Sequence, residues 1–409
     1  MREMKDSGVK WIGEIPVTWN VYRNKNAFVC SKDLVGGKSS ETQLLSLTTK
    51  GIKLKDINNA EGKLPESFDT YQYVKKDEMV MCLFDLDCSA VFSGLSPYDG
   101  MISPAYKVLT CTDRMEPKYA DYWFQYISHG RKFNHYAKNI RYTLSYEEFS
   151  ALPMLFPDRE EQIRISNYLD AKCSKIDEII EKQHAIIEKL KEYKLSYINE
   201  VTNVNDGIKC HLGFIGQMKN GLNFTDTSEG HKIKFLGVGD FKDNFFVDKE
   251  EMFSTIISEE NVAEDYMLHS GDIVFVRSNG SKELVGRAVM VNGIEYPVTY
   301  SGFCIRFRNI RPDIIDSKFL LYYFRSLDFR KQLEKYSQGS NISNLNQDLL
   351  SSLQFTIPSK DYQKRRLDEM EIKCKEIDNA VIKFEGMNNK LQELSLIHIS
   401  EPTRHLRIS

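Results

Sequence analysis

Leu144-Ser145-Tyr146-Glu147-Glu148-Phe149-Ser150-Ala151-Leu152-Pro153-Met154-Leu155-Phe156-Pro157 returns 201 positions later as Leu345-Asn346-Gln347-Asp348-Leu349-Leu350-Ser351-Ser352-Leu353-Gln354-Phe355-Thr356-Ile357-Pro358. The same offset carries Gln162 to Gln363, Lys172-Cys173 to Lys373-Cys374, Ile176-Asp177 to Ile377-Asp378, and Leu190 to Leu391. Upstream the offset is 200, pairing Lys118-Tyr119 with Lys318-Phe319, Tyr122 with Tyr322, Phe124 with Phe324 and Tyr136 with Tyr336. Each copy reads as an apolar strand that ends in proline and runs into a long polar helix. A chain of two similar, non-identical halves is suited to touching two similar, non-identical things.

The helical part has its own logic. Between Asp158 and Thr202 there is neither glycine nor proline, and a four-three spacing runs through Leu169, Cys173, Ile176, Ile180, Gln183, Ile187, Leu190, Lys194, Tyr197 and Val201. That is a heptad seam, which needs a partner helix. The second copy offers one in Met370, Cys374, Ile377, Val381, Phe384, Asn388 and Leu391. Gln183 and Asn388 interrupt the two seams. Each either fixes register at some cost in stability or sits at a water-exposed seam position.

Around the helices lie two mixed α and β regions. Strand candidates are 79–84 and 105–109 in the first, 272–276 and 304–307 in the second; aromatic residues at helical spacing mark 119–137 and 319–338. The division is therefore 1–157 as a first mixed domain, 158–203 as a long helix, 204–358 as a second mixed domain and 359–393 as a second long helix. The class is α+β with an internal repeat. At 409 residues, 41% of them hydrophobic, the chain can bury a core in each half.

A net charge of −3 advertises no polyanion partner globally, although phosphate binding depends on where charges sit. The eight cysteines include no C-x-x-C pair, which argues against zinc and disulfide frameworks and for a reducing cytoplasm. No apolar run approaches a membrane span, and the opening residues lack a signal-peptide core.

Catalytic signatures are missing. No two prolines are adjacent, so the N-P-P-Y and D-P-P-F motifs of amino-methyltransferases are absent. Gly37-Lys38-Ser39 ends like a phosphate loop, but Lys32 stands where the first glycine belongs. Pro157-Asp158 with Glu192 and Lys194 matches a nuclease pattern formally, yet Lys194 is a seam position. The histidines show no ligand spacing. The expectation is no catalytic site, no metal and no cofactor in this chain.

Two polar segments stand out. Arg277-Ser278-Asn279-Gly280-Ser281-Lys282 to Arg287 follows one strand and precedes another. It is either a solvated hairpin or a loop gathering Arg and Asn for base edges, with Ser and Lys for phosphates. Lys138-Asn139-Ile140-Arg141-Tyr142 precedes the repeated Leu144, and its counterpart, 339–344 with Asn341 and Asn344, is polar but uncharged. These segments are either helix-to-strand connections or unequal DNA contacts.

The opening Lys5-Asp6-Ser7-Gly8-Val9-Lys10-Trp11-Ile12-Gly13-Glu14-Ile15-Pro16, with Trp19, resembles that of many specificity subunits of type I restriction-modification systems. The repeated block is similar to that family's central and C-terminal conserved regions, clearest at Leu144-Ser145, Leu152-Pro153, Phe156-Pro157, Glu160-Glu161-Gln162-Ile163, Leu169 and Ile176-Asp177. The stretch from Gly271-Asp272-Ile273 to Gly286-Arg287 resembles an element of its target recognition domains. The resemblance covers nearly everything up to Glu393.

It implies two target recognition domains separated by two long helices that form an antiparallel coiled coil with pseudo-twofold symmetry. Each domain would read half of a bipartite, asymmetric site in double-stranded DNA. Helix pairing would fall to Leu169, Ile176, Ile180, Ile187 and Leu190 against Ile377, Val381, Phe384 and Leu391. The chain itself would do no chemistry. Two modification subunits would bring S-adenosylmethionine and methylate adenine N6, and two restriction subunits would bring ATP-driven, magnesium-dependent cleavage. A protein-interaction scaffold without DNA, and an orphan specificity cassette, are the competing readings. A helix of about forty residues spans ~60 Å, less than two turns of duplex at ~34–36 Å per turn.

Two departures qualify the symmetry. The second copy has Asp361-Tyr362-Gln363 where the first has Glu160-Glu161-Gln162, and nothing matches Arg141. The repeat also stops at Glu393. The following Leu394-Ser395-Leu396-Ile397-His398-Ile399-Ser400-Glu401-Pro402-Thr403-Arg404 resembles a transposon-end sequencing adapter translated in one frame. The expectation is that 394–409 is not native and that the second helix is truncated.

Overall fold

The computed structural model describes residues 2–49, 51–56, 65–86, 92–129, 131–136, 142–224, 230–258, 261–278, 282–336 and 344–400. The chain forms two compact units: Met1–Gln183 with Glu385–Ser409, and His184–Phe384. Among the described residues no helix is long and apolar enough to cross a membrane.

The first unit is built on a four-stranded antiparallel sheet ordered Phe28–Cys30, Lys107–Cys111, Met79–Met81, Ser93–Leu95. The run Met79-Val80-Met81 is apolar throughout because both faces of its strand are covered. Met79 and Met81 pack with Phe124 and Ile127 of the helix Pro117–His129. Val80 and Val108 pack the other way, with Leu45, Ile52, Val74 and Ile102. The N-terminal residues fold into a hairpin, Met4–Asp6 against Glu14–Pro16, with Gly8 and Gly13 at positive φ. The Trp11 indole N–H donates to Tyr136 Oη (2.8 Å) and that of Trp19 to Glu161 Oε2 (2.8 Å). Arg2 also pairs with Glu161.

The second unit repeats the plan on a larger sheet, ordered Gly216–Asn220, Cys304–Asn309, Ile273–Val276, Ala288–Val291, Phe246–Val247. Phe275, Ile305 and Phe307 face a core shared with Phe324 and Phe329, while Val274, Val276 and Val289 face Leu236, Val247 and Tyr300. The aromatic stretch is two helices here, Ser317–Phe324 and Leu327–Tyr336. The break follows from Ser326, whose Oγ accepts the Phe329 amide (3.2 Å) and so opens a new helix.

The recurrent strand pairs antiparallel with a short segment in each unit: Pro153–Phe156 with Asn20–Arg23, and Gln354–Ile357 with Ile208–His211. The small helix before it is capped each time. Ser145 and Glu148 form a reciprocal capping box, and Asn346 Oδ1 accepts the Leu349 amide (2.7 Å).

The long helices are Arg159–Thr202 and Lys360–Ser400. In the second unit they run antiparallel: Tyr362 Oη donates to the Val201 carbonyl (3.1 Å), and Lys194 Nζ bonds both Asp378 carboxylate oxygens (2.8 Å each). In the first unit Ser395 Oγ lies 3.6 Å from Cys173 Sγ. Leu169, Ile176, Ile187 and Ile377 are buried, and Ile180, Leu190, Val381, Phe384 and Leu391 are half-buried. Gln183 and Asn388 are 7% and 4% exposed, so neither is a water-exposed seam position. Gln183 Oε1 and both amide atoms of Asn388 are unpartnered.

Candidate nucleic-acid interface

The strand Ile273–Val276 delivers Arg277 to a point where three chain segments meet. The Arg277 amide donates to the Phe303 carbonyl (2.7 Å), and the Arg277 carbonyl accepts the Leu345 amide (2.8 Å). Its guanidinium Nη1 reaches the Gly302 carbonyl (3.4 Å), and the Ser278 amide leans on Phe303 O (3.4 Å). Exposed Asn344, the last residue of the counterpart segment 339–344, immediately precedes Leu345 and so adjoins Arg277.

Arg287 closes the same loop from its far side. Val276 N donates to Arg287 O (2.9 Å), and Gly286 N donates to Val276 O (2.9 Å). Gly286 has φ +83°, and a Cβ there would come within 2.5 Å of Leu333 Cδ1, so both backbone and packing call for glycine. Arg287 Nη1 is held by Lys242 O (2.6 Å) and Asp243 Oδ1 (3.1 Å). Beside it Arg325 is half-buried, bonds Ala288 O (3.2 Å) and lies over the Phe245 ring (4.4 Å). Burial, and then the charge of Arg287, push Arg325 down to about 10.

The first unit has the same joint with other side chains. Leu144 N donates to Leu83 O (2.8 Å), so Leu83 stands where Arg277 stands in the second unit. After it come Phe84, stacked on Tyr106 at 6.0 Å, and Asp85 at φ +51°. Tyr142 has φ +46°, and its carbonyl receives the Leu86 amide (3.4 Å). Two non-glycine residues in the left-handed region at one joint mark a strained, overdetermined spot. The sequence reading missed this loop. Cys82-Leu83-Phe84 prolong the apolar run of the first strand, whereas Arg277-Ser278 follow the second, and the offset from Met79 to Ile273 is 194, outside the register of the main repeat.

Of the DNA-contact candidates, Tyr142, Arg277, Ser278, Arg287 and Asn344 are placed. Lys138, Asn139, Arg141, Asn279, Ser281 and Asn341 lie outside the described residues, as does the side chain of Lys282. The remaining chemistry is structural. Among the described residues no group of three or more His, Cys, Asp or Glu could hold a metal. Burial pushes the thiols of Cys111 and Cys304 up to about 12 and that of Cys374 up to about 11, the reverse of an activated nucleophile. Lys194 belongs to the helix pair through Asp378, which dissolves the nuclease-like pattern.

Residues 210–383 match the family model described as the type I restriction modification DNA specificity domain. The chain is similar to the StySPI specificity subunit of Salmonella potsdam, 25% identical over 300 residues, covering 65% of this chain and 63% of that protein. It is also similar to the EcoKI specificity subunit of Escherichia coli strain K12, 26% identical over 125 residues, covering 30% of this chain and 26% of that one. The chain thus spans less than two thirds of the relatives it matches. Among solved structures, it superposes on a chain from a study of complex assembly and conformational transition of the type I R-M system, with TM-score 0.70, 14% identity and coverage of 95% and 98%. The HsdS subunit from Thermoanaerobacter tengcongensis gives TM-score 0.51, 14% identity and coverage of 95% and 97%.

Proposed function

We propose that this chain, whose residues 210–383 match the type I restriction modification DNA specificity domain, acts as a specificity subunit of such a system, and that each of its units reads one half of a bipartite, asymmetric site in double-stranded DNA. The observation that carries the reading is the shared joint with unequal contents. A leucine amide clasps the carbonyl after the recurrent sheet strand in both units, at Leu83 and at Arg277. The frame is common, so both units meet a common kind of ligand. The loops differ, so they meet different parts of it.

Arg277 suits the edge of a guanine, Asn279 and Asn344 suit adenine, and Ser278, Ser281 and Lys282 suit phosphate. In the first unit Lys138, Asn139, Arg141 and Tyr142 take the equivalent part. The recognition domains are 1–157 and 204–358, and the helices 158–203 and 359–393 pair and dock two modification subunits. Two restriction subunits complete the assembly. S-adenosylmethionine, ATP and Mg²⁺ belong to those partners. This chain supplies selection and no chemistry.

The test is methylome sequencing of a host that expresses this chain with a modification subunit. Adenine methylation at a two-part motif with a fixed spacer is expected. Methylation unchanged from the host without this chain would overturn the reading.

A further inference from the structure

We propose that Phe303 is an aromatic wedge that enters one base step of the half-site read by the second unit. The inference rests on the DNA-reading assignment above and specifies how that face engages its ligand. Phe303 is 58% exposed, although a phenylalanine ring gains most by burial. It sits in the turn between the strands Val298–Tyr300 and Cys304–Asn309, next to Arg277.

The ring is displayed from a fixed platform. The Phe303 amide donates to Ser301 Oγ (3.2 Å), and its carbonyl accepts Arg277 N (2.7 Å). Cys304 N closes the turn onto Ser301 O (2.8 Å). Gly302 has no room for a side chain, since a Cβ there would lie 2.1 Å from Asn223 Oδ1. Arg277 is tethered to this same turn through Gly302 O (3.4 Å), which puts a cation and a rigid aromatic edge side by side. That pairing suits a nucleic acid. The guanidinium holds the base or phosphate while the apolar ring slips between base pairs that it partly unstacks.

The first unit supplies an internal control. Its corresponding turn has the same hydrogen bonds: Ala105 N to Ser103 Oγ (3.4 Å) and Tyr106 N to Ser103 O (3.1 Å). Alanine stands there in place of phenylalanine. The turn therefore forms without the ring, and the ring is not what holds the turn. The wedge is consequently confined to one half-site.

The experiment uses the chain assembled with its modification subunits, on duplexes bearing the site that methylome sequencing defines. 2-Aminopurine is placed at successive positions through each half-site. Apart from the adenine that a modification subunit extrudes for methylation, unstacking at a single step should raise its emission several-fold in the half-site of the second unit and at no position in the other. Phe303→Ala should abolish that rise and weaken binding about tenfold, within the usual range for a lost base–aromatic contact, while Phe303→Leu retains part of both. Melting curves identify any variant that fails to fold. Selective binding by the wild-type complex with no emission change beyond that at the extruded adenines, or a Phe303→Ala complex with both properties intact, overturns the wedge and leaves DNA reading standing. A complex that does not discriminate the bipartite site from random duplex overturns both.

Discussion

Gln162 and Gln363 make the same three hydrogen bonds in the two units. Gln162 Nε2 donates to Arg114 O (3.0 Å) and Pro157 O (2.9 Å), and its Oε1 accepts Glu116 N (2.8 Å). Gln363 Nε2 donates to Ile314 O and Pro358 O (2.8 Å each), and its Oε1 accepts Asp316 N (2.9 Å). Each amide is buried and ties the first turn of a long helix to the loop ahead of the aromatic helix. Gln363→Ala leaves three backbone groups without partners. A loss of about 2–4 kcal/mol is expected, at ~1–3 kcal/mol per buried unsatisfied group with partial relaxation. Urea unfolding monitored by hydrogen exchange checks this: protection should fall in the second unit more than in the first.

Gln183 and Asn388 are buried where they interrupt an apolar seam, and Gln183 Oε1 and both amide atoms of Asn388 lack partners. Replacing both by leucine should raise the melting temperature and gain about 1–2 kcal/mol, because desolvated amides are exchanged for apolar packing. The same change should loosen the choice of partner and register. Calorimetry and light scattering together read the two effects, and a lowered melting temperature would contradict the first.

Asp121 is pushed up to about 6, chiefly by burial, with hydrogen bonds from Gln125 and Leu95 opposing and Asp170 adding to the rise. A folded-state value above the unfolded 3.8 means the folded form binds the proton more tightly. Its contribution is therefore most favourable below pH 4 and declines as pH rises through 6. Asp121→Asn should flatten the stability profile between pH 4 and 6 and stabilise the first unit near neutrality by on the order of 2 kcal/mol. Thermal melts over that pH range decide it.

Arg277→Ala should relax selectivity in one half-site only. The expected loss is about 1–3 kcal/mol of discrimination at one base pair, as for a bidentate contact. Competition binding against single-base variants of both half-sites measures it, and equal loss in both halves would assign Arg277 to phosphate contact instead.

A one-heptad insertion near Gln183, matched in the opposing helix, adds ~10.5 Å at 1.5 Å per residue. The spacer of the methylated motif should lengthen by about three base pairs. An unaltered spacer would refute the role of the helices as a ruler.

The repeat was legible in sequence wherever a side chain does the fastening. Gln162 and Gln363 recur because their amides are the fasteners, and Lys118 recurs as Lys318 because each reaches an acid on its long helix, Asp170 at 2.6 Å and Glu371 at 2.7 Å. The departure at Glu161 is equally physical: in the first unit that position receives Trp19 and Arg2, whereas Tyr362 in the second reaches the Val201 carbonyl. What stayed hidden is held by backbone. Asn20–Arg23 and Ile208–His211 take the same place beside the recurrent strand with no residue in common, since a β ladder asks only for amides and carbonyls. The turn bearing Phe303 was hidden likewise, because only its serine matches the turn bearing Ala105.

The clasp of Leu144 on Leu83, and of Leu345 on Arg277, is made of main-chain atoms. It is blind to the identity of the residue it grips. A leucine and an arginine are held alike, with no change in the scaffold. On the proposed reading, the vocabulary of either unit can therefore be rewritten by substitution around the clasp, while the main-chain grammar within that unit stays untouched.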